Sequence, residues 1–305
     1  MNNPKICAIV VTYNRKNLLE KCLKALLGGV KVPDYILVVD NASTDGTKEH
    51  IENTFSYDME NGRLIYMCLP ENMGGAGGFH EGLKKALSLP VDAFWLMDDD
   101  AEVDPDALSE LMKYFKHDRC VAPLPTDKKK QELAWLIMLR INGKKILFDH
   151  LSDIPEGIPL KAQSTGFLGL LVPRQIVQRI GLPIKDYFIW IDDFEYTSRI
   201  WEAGFSIEYV RGSFIYHPVQ RKVRVNFLWR KNFPIVDAPD WKQYYWLRNI
   251  IHMLSRRGRF LDIIRSIVLS FLVWKVRGAR KETLHYYLEG LWDGLRGRLG
   301  KKYLG

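Results

Sequence analysis

The chain has 305 residues, 47% of them apolar, which is enough to bury one large core or two modest ones and too apolar for a disordered segment. Its four cysteines, Cys7, Cys22, Cys68 and Cys120, form no CxxC pair, which argues against a disulfide framework or thiolate zinc site and fits reduced thiols in a cytoplasmic setting; residues 1–5 carry no signal-peptide pattern. The net charge of +8 is lopsided, because residues 241–305 hold fourteen Lys or Arg against four carboxylates and leave the first 240 residues slightly acidic.

Residues 6–11 are a continuous apolar run, which predicts a strand buried on both faces of a parallel sheet. Thr12-Tyr13-Asn14-Arg15 ends it, with Asn14 placed to cap a helix whose apolar stripe is Leu19, Cys22, Leu23 and Leu26. Residues 35–39 predict a second strand, closed by Asp40-Asn41-Ala-Ser-Thr-Asp-Gly46, and residues 64–67 a third. Asn72-Met-Gly74-Gly75-Ala-Gly-Gly78 opens a helix over about residues 79–87, and residues 93–97 predict a fourth strand. This alternation predicts right-handed crossovers and a mostly parallel α/β sheet, with ligands beyond the carboxyl ends of the strands.

Asp98, Asp99 and Asp100 stand at the end of the fourth strand. Strand alternation carried through them would turn Asp98 and Asp100 one way and Asp99 the other. Three such carboxylates raise one another's pKa unless a cation lies between them, and hard oxygen ligands suit Mg²⁺ or Mn²⁺. A solvated acidic turn is the competing reading. Asp40 would accept the N3–H of a uracil or thymine ring, form an Asx turn, or do both. Gly75-Ala-Gly77 is followed by His80, so it is not a dinucleotide fingerprint. The glycines serve either a tight turn or close backbone approach to a sugar or phosphate at a helix N-terminus.

Asp104-Pro105 starts a helix that reaches about residue 115. Residues 135–141 and 144–148 predict a hairpin about Asn142-Gly143 in a type I′ turn. Residues 164–169 lead into a strand at 170–172 and a short helix from Pro173 to Gly181. Asp192 and Asp193 open a helix that stops at Gly204. Capping explains one carboxylate there, and a second is available as a general base. Residues 205–210 and 214–216 predict two further strands before His217-Pro218. Alone, His217 reads as a surface histidine.

Ala8-Ile-Val-Val-Thr-Tyr-Asn14-Arg15, Val39-Asp40-Asn-Ala-Ser-Thr-Asp-Gly46, Glu71-Asn72-x-Gly-Gly, Asp98-Asp-Asp100, Asp192-Asp193-x-Glu195 to Arg199, and His217 occur in that order. Over residues 5–220 the set resembles the family 2 inverting glycosyltransferases of the GT-A fold, and the glycine stretch is most similar to bacterial galactofuranosyltransferases, with rhamnosyltransferases close behind. Many galactofuranosyltransferases read Trp-Asp-Asp at the base motif, where this chain has Trp190-Ile191-Asp192-Asp193. The resemblance implies a GT-A domain, a Rossmann-like sheet flanked by helices, over residues 1–240. It implies that Thr12, Tyr13, Asn14, Arg15, Asp40 and Asn41 hold the nucleoside, with Asn72, Gly74 and Gly75 along the sugar-diphosphate path and Asp99 toward ribose or sugar. Asp98, Asp100 and His217 would bind Mn²⁺ or Mg²⁺, the histidine favouring Mn²⁺. Asp193 would be the base, Asp192 would orient it or share the role, and Trp190 and Gly169 would meet the acceptor. The donor it favours is UDP-galactofuranose, with a rhamnose donor as the alternative, and the acceptor is a lipid-linked glycan of the cell envelope such as O-antigen. A nucleotidyltransferase would need a Gly-rich loop after strand one, and a non-catalytic scaffold would be expected to have lost some of the acidic residues.

In residues 241–305 the longest uncharged run of the apolar part is nine residues, against about 20 for a membrane span. Basic amphipathic helices of this kind predict a C-terminal membrane-association region at an anionic surface, on the inner face of the plasma membrane. The competing reading packs them on the catalytic part with a solvated basic face. No recognition motif supports nucleic acid.

Overall fold

The computed structural model describes residues 4–156, 160–219, 222–227, 230–236 and 238–304. Four apolar runs form the parallel strands β1 (Ile6–Thr12), β2 (Tyr35–Asp40), β3 (Leu64–Cys68) and β4 (Ala93–Asp98), adjacent in the order β3-β2-β1-β4. Between them lie α1 (Lys16–Leu27), α2 (Thr47–Thr54), α3 (Ser56–Glu60) and α4 (Gly74–Ala86). β1 is buried along its whole length, as its unbroken apolar sequence requires. The ladder pairs Thr12 with Asp40, Asp40 with Cys68 and Val11 with Asp98, so the polar ends of all four strands finish level at one edge.

α4 starts earlier than residue 79 because its glycines are helical and face the sheet. A Cβ on Gly78 would stand 2.5 Å from Val11 Cγ1, and one on Gly82 would stand 2.7 Å from Ile9 Cγ2, so glycine is what lets this helix lie close. Asn14 does not cap α1: its φ is 53°, and its Oδ1 instead accepts from Thr44 N at 2.7 Å, tying together the loops after β1 and β2.

The second half departs from parallel order. It contains β5 (Glu102–Val103), α5 (Ala107–Tyr114), β6 (Arg119–Thr126), β7 (Glu132–Ile141), β8 (Lys144–His150), β9 (Leu160–Ala162), β10 (Leu170–Pro173), α6 (Arg174–Ile180), α7 (Asp192–Glu202) and β11 (Ser206–Tyr216). β10 joins β4 antiparallel, and the sheet continues β10-β6-β11-β9-β7-β8. The β7–β8 hairpin turns on Asn142 (φ 50°) and Gly143 (φ 77°), both left-handed as a type I′ turn demands. The two strands predicted over 205–216 are one, β11, with a register shift between Val210 and Phe214.

Two units divide the chain, residues 1–184 with 193–219, and residues 185–192 with 220–305. The boundary expected at residue 240 therefore falls at 219/220, and the second unit also takes an upstream segment. It contains β12 (Lys222–Phe227) paired with β13 (Arg230–Val236), then α8 (Asp240–Arg256), α9 (Phe260–Val276) and α10 (Leu284–Arg296). Among the described residues no helix is long and apolar enough to cross a membrane. Arg248, counted in the sequence among the basic residues of the tail, is fully buried on α8 and is not a surface charge.

Candidate active site

β4 ends at Asp98, and Asp99 and Asp100 form a turn, so strand alternation does not apply to them. Instead both face Arg15, whose Nη1 lies 3.2 Å from Asp99 Oδ1 and 3.0 Å from Asp100 Oδ2. Thr12 Oγ1 donates to Asp99 Oδ2 at 2.7 Å, completing a buried carboxylate that does not present itself to a ribose. Burial raises the Asp99 pKa against the opposing pull of Thr12 and Arg15. Burial works against the Arg15 charge too, and the two aspartates outweigh it, so the guanidinium pKa rises.

Asp100 Oδ1 is buried, has no hydrogen-bond partner, and sits 3.4 Å from His217 Nε2. The other ring nitrogen, Nδ1, is 2.7 Å from the Pro218 carbonyl. A histidine that spends one N–H on a backbone carbonyl turns its second nitrogen outward in the orientation metal ligands use. A buried carboxylate oxygen at ion-pair distance from that nitrogen fits a divalent cation. Asp98 is not drawn into the same shell, and among the described residues no group of three or more His, Cys, Asp or Glu is assembled to hold a metal ion. Of the expected ligands Asp100 and His217 stand side by side, and Arg15 supplies positive charge at the aspartate turn.

The residues expected on the donor side follow the level strand ends. Asp40 Oδ1 accepts from Ser43 N (2.9 Å) and Ser43 Oγ (2.5 Å), and Oδ2 accepts from the Tyr66 hydroxyl, which is the Asx-turn arrangement with a tyrosine added. Asn41 Oδ1 accepts from Met73 N at 3.1 Å, and Asn72 Oδ1 from Gly74 N at 2.9 Å, so both asparagines shape the entry to α4. A Cβ on Gly75 would meet nothing within 4 Å, unlike its neighbours on the sheet side. Tyr13 is exposed.

At the start of α7, Asp193 Oδ1 accepts from Phe194 N at 2.6 Å, which serves the helix terminus. Oδ2 points elsewhere: a Cβ on Gly166 would lie 3.2 Å from it and 3.1 Å from Trp135 Cζ2. The Trp135 ring is 5.6 Å from the His217 ring, edge to face, so one indole neighbours both the candidate base and the candidate ligand. Burial pushes the Asp193 carboxyl up to about 6, overcoming the lowering by backbone N–H groups. Asp192, the first residue of α7, is buried.

Gly169 is corrected by the structure. It is buried at φ 75°, its carbonyl accepts from Trp95 Nε1 at 2.8 Å, and a Cβ there would stand 2.6 Å from Pro123 Cγ, so it is a packing glycine with no surface for an acceptor. Trp190 is partly exposed, with Lys242 Nζ 5.9 Å from its ring centre. Trp135, Gly166 and Tyr66 carry no motif of their own; the hairpin places Trp135, the third strand places Tyr66, and Gly166 lies in the segment leading into β10.

Residues 7–162 match the family model described as Glycosyl transferase family 2. The chain is 26% identical over 259 residues to galactofuranosyltransferase GlfT1 of Mycolicibacterium smegmatis, covering 83% of this chain and 84% of that one. It is 23% identical over 308 residues to the dTDP-rhamnosyl transferase RfbF of Shigella flexneri, covering 98% of each. Its fold is similar to that of the mannosyltransferase PcManGT from Pyrobaculum calidifontis, solved with GDP-Man and Mn²⁺, at a TM-score of 0.57 and 14% identity, covering 98% of this chain and 89% of that one.

Proposed function

This chain belongs to glycosyl transferase family 2 and has the α/β GT-A fold, and from that membership we propose that it inverts the configuration of a sugar as it moves it from UDP-galactofuranose to a hydroxyl of a lipid-linked glycan. The enzyme class follows from the family; donor and acceptor are our reading. The observation that carries the mechanism is the Asp193 carboxylate, one oxygen fixed on Phe194 N and the other turned toward Gly166 and Trp135. A carboxyl held near 6 by its recess is ionised at neutral pH and basic enough to accept a proton. Asp193 takes the proton of the acceptor hydroxyl, and that oxygen attacks the anomeric carbon from the face opposite the departing nucleotide. Asp192 orients the pair. Thr12, Tyr13, Asn14, Arg15, Asp40 and Asn41 hold the nucleoside, and the open side of Gly75 passes the diphosphate. Asp100 and His217, together with Asp98, would hold Mn²⁺ or Mg²⁺, which would supply Lewis-acid stabilisation of the leaving diphosphate.

UDP-galactofuranose is supported by the similarity to GlfT1, and a dTDP-rhamnose donor is the second reading, supported by the full-length similarity to RfbF. Turnover of each donor with a lipid-linked acceptor, read as nucleotide release and as the anomeric configuration of the product, decides between them. Activity with neither, or retention of configuration, defeats the proposal.

The second unit carries our proposal for the membrane. Phe260, Leu261, Ile264 and Val268 form an exposed apolar stripe on α9, and Leu288, Trp292 and Leu295 form another on α10. With the surrounding Lys and Arg they suit the interface of an anionic membrane, where each basic residue adds about 1 kcal/mol. On this reading the enzyme works at the inner face of the plasma membrane, where it would meet the lipid-linked acceptor proposed above.

A further inference from the structure

The residues that lead into Asp192 and Asp193 are held in a conformation the backbone does not choose unaided. Phe188, Trp190 and Ile191 have φ of 65°, 64° and 68°, all in the left-handed region and none of them glycine. Ile191 is β-branched, for which that region is a true outlier. Such a run persists only where its surroundings over-determine it.

What holds it lies on α8. Asn249 Nδ2 donates to the carbonyls of Tyr187, Ile189 and Trp190 at 3.0, 3.1 and 2.8 Å. Arg248 Nη2 donates to the carbonyls of Asp186 and Tyr187 at 3.2 and 2.8 Å, and its Nε fixes Asn249 Oδ1 at 2.8 Å. Both side chains have 0% exposure. Among the described residues no carboxylate pairs with Arg248, whose charge faces main-chain carbonyls and the rings of Tyr244 and Tyr245. A helical bundle gains nothing in stability from an unpaired buried guanidinium, since an apolar residue of that volume would serve as well or better. Arg248 Nη1 donates to the Gly300 carbonyl at 2.5 Å, while Arg248 Nη2 and the whole Asn249 amide group are spent on one segment, residues 186–190, two residues short of the carboxylate pair.

We infer that Arg248 and Asn249 are positioning residues, which clamp segment 186–191, left-handed at Phe188, Trp190 and Ile191, so that the chain enters α7 with Asp192 and Asp193 correctly aimed. This inference rests on the reading of Asp193 as the base.

The full-length Asn249→Ala, Asn249→Ser and Asp193→Asn variants, with Ile251→Ala as a control in the buried face of α8 away from the segment, test it. Asn249→Ala is expected to lower kcat about 10–100-fold while donor KM stays within about twofold, because a misplaced base costs chemistry and not nucleotide binding. Its acid-side pH limb is expected to move below that of the wild type as the carboxyl leaves its recess. Asn249→Ser, which keeps one donor, is expected to fall between and serves if the alanine variant does not fold. Ile251→Ala is expected to lower the melting temperature with kcat unchanged. A kcat for Asn249→Ala or Asn249→Ser no lower than that of Ile251→Ala, alongside an inactive Asp193→Asn, overturns the clamp and leaves the base standing. A fully active Asp193→Asn overturns both.

Discussion

Replacing Asp193 by Asn is expected to produce a protein that is both more stable and nearly inactive. A carboxyl moved from its ordinary 3.8 up to about 6 carries about 3 kcal/mol of bias against its charged form. Its folded pKa lies above its unfolded one, so the sign is fixed. Below about pH 4 the group is protonated in both states and costs nothing. As the pH rises toward about 6 the unfolded chain releases the proton first and stability falls, and above that the whole cost remains. Asp193→Asn removes the charge, so at about pH 8 it should exceed the wild type by up to about 3 kcal/mol, a difference that vanishes near pH 4. Turnover should fall about 10²–10⁴-fold, and the acid limb of kcat near pH 6 should disappear. Urea unfolding across this pH range, with nucleotide release at saturating donor and acceptor, measures both. A stability gain over the wild type that is no larger at high pH than at low pH, or a variant that keeps a tenth of wild-type turnover, refutes the reasoning.

Gly78→Ala should cost about 1–3 kcal/mol in thermal unfolding, because its Cβ meets Val11 and Asn41. Gly75→Ala should leave stability intact and raise donor KM, since its Cβ enters open space on the proposed diphosphate path; an unchanged KM removes that path. Chelation should abolish activity, and His217→Ala should raise the half-saturating Mn²⁺ concentration at least about 10–100-fold, a titration that would expose an idle histidine by showing no change. Leu261→Asp with Ile264→Asp should lower flotation with anionic vesicles while leaving turnover of a soluble acceptor untouched; equal flotation would discard the membrane reading. Point variants serve better here than deleting the tail, which would also strip Arg248 and Asn249.

β1 to β4 were readable because each is an unbroken apolar run buried on both faces, and the polar residues after them had to meet at one edge. β6 was not. Pro123 and Pro125 look like strand breakers, yet beyond Val121 the ladder to β10 stops and β6 runs on beside β11, leaving a side where no N–H is required. At the site, the motif residues named the participants, while their partners depended on tertiary placement. Nothing local to Trp135 or Gly166 announces that they flank Asp193. The alternation expected through Asp99 and Asp100 does not hold because the strand stops at Asp98, and nothing local marks Arg248 as buried, because its partners are carbonyls some sixty residues upstream and about fifty downstream.

Because residues 185–192 belong with 220–305, the polypeptide passes from one unit to the other three times. Gene shuffling among relatives therefore cannot exchange the tail by a single crossover. A splice at residue 219/220 would set a foreign α8 against a native loop it did not evolve to grip, and the mismatch would be felt as non-additive loss between two substituted stretches. A viable hybrid needs a two-piece graft, and drift in the last third of the gene is yoked to eight upstream codons.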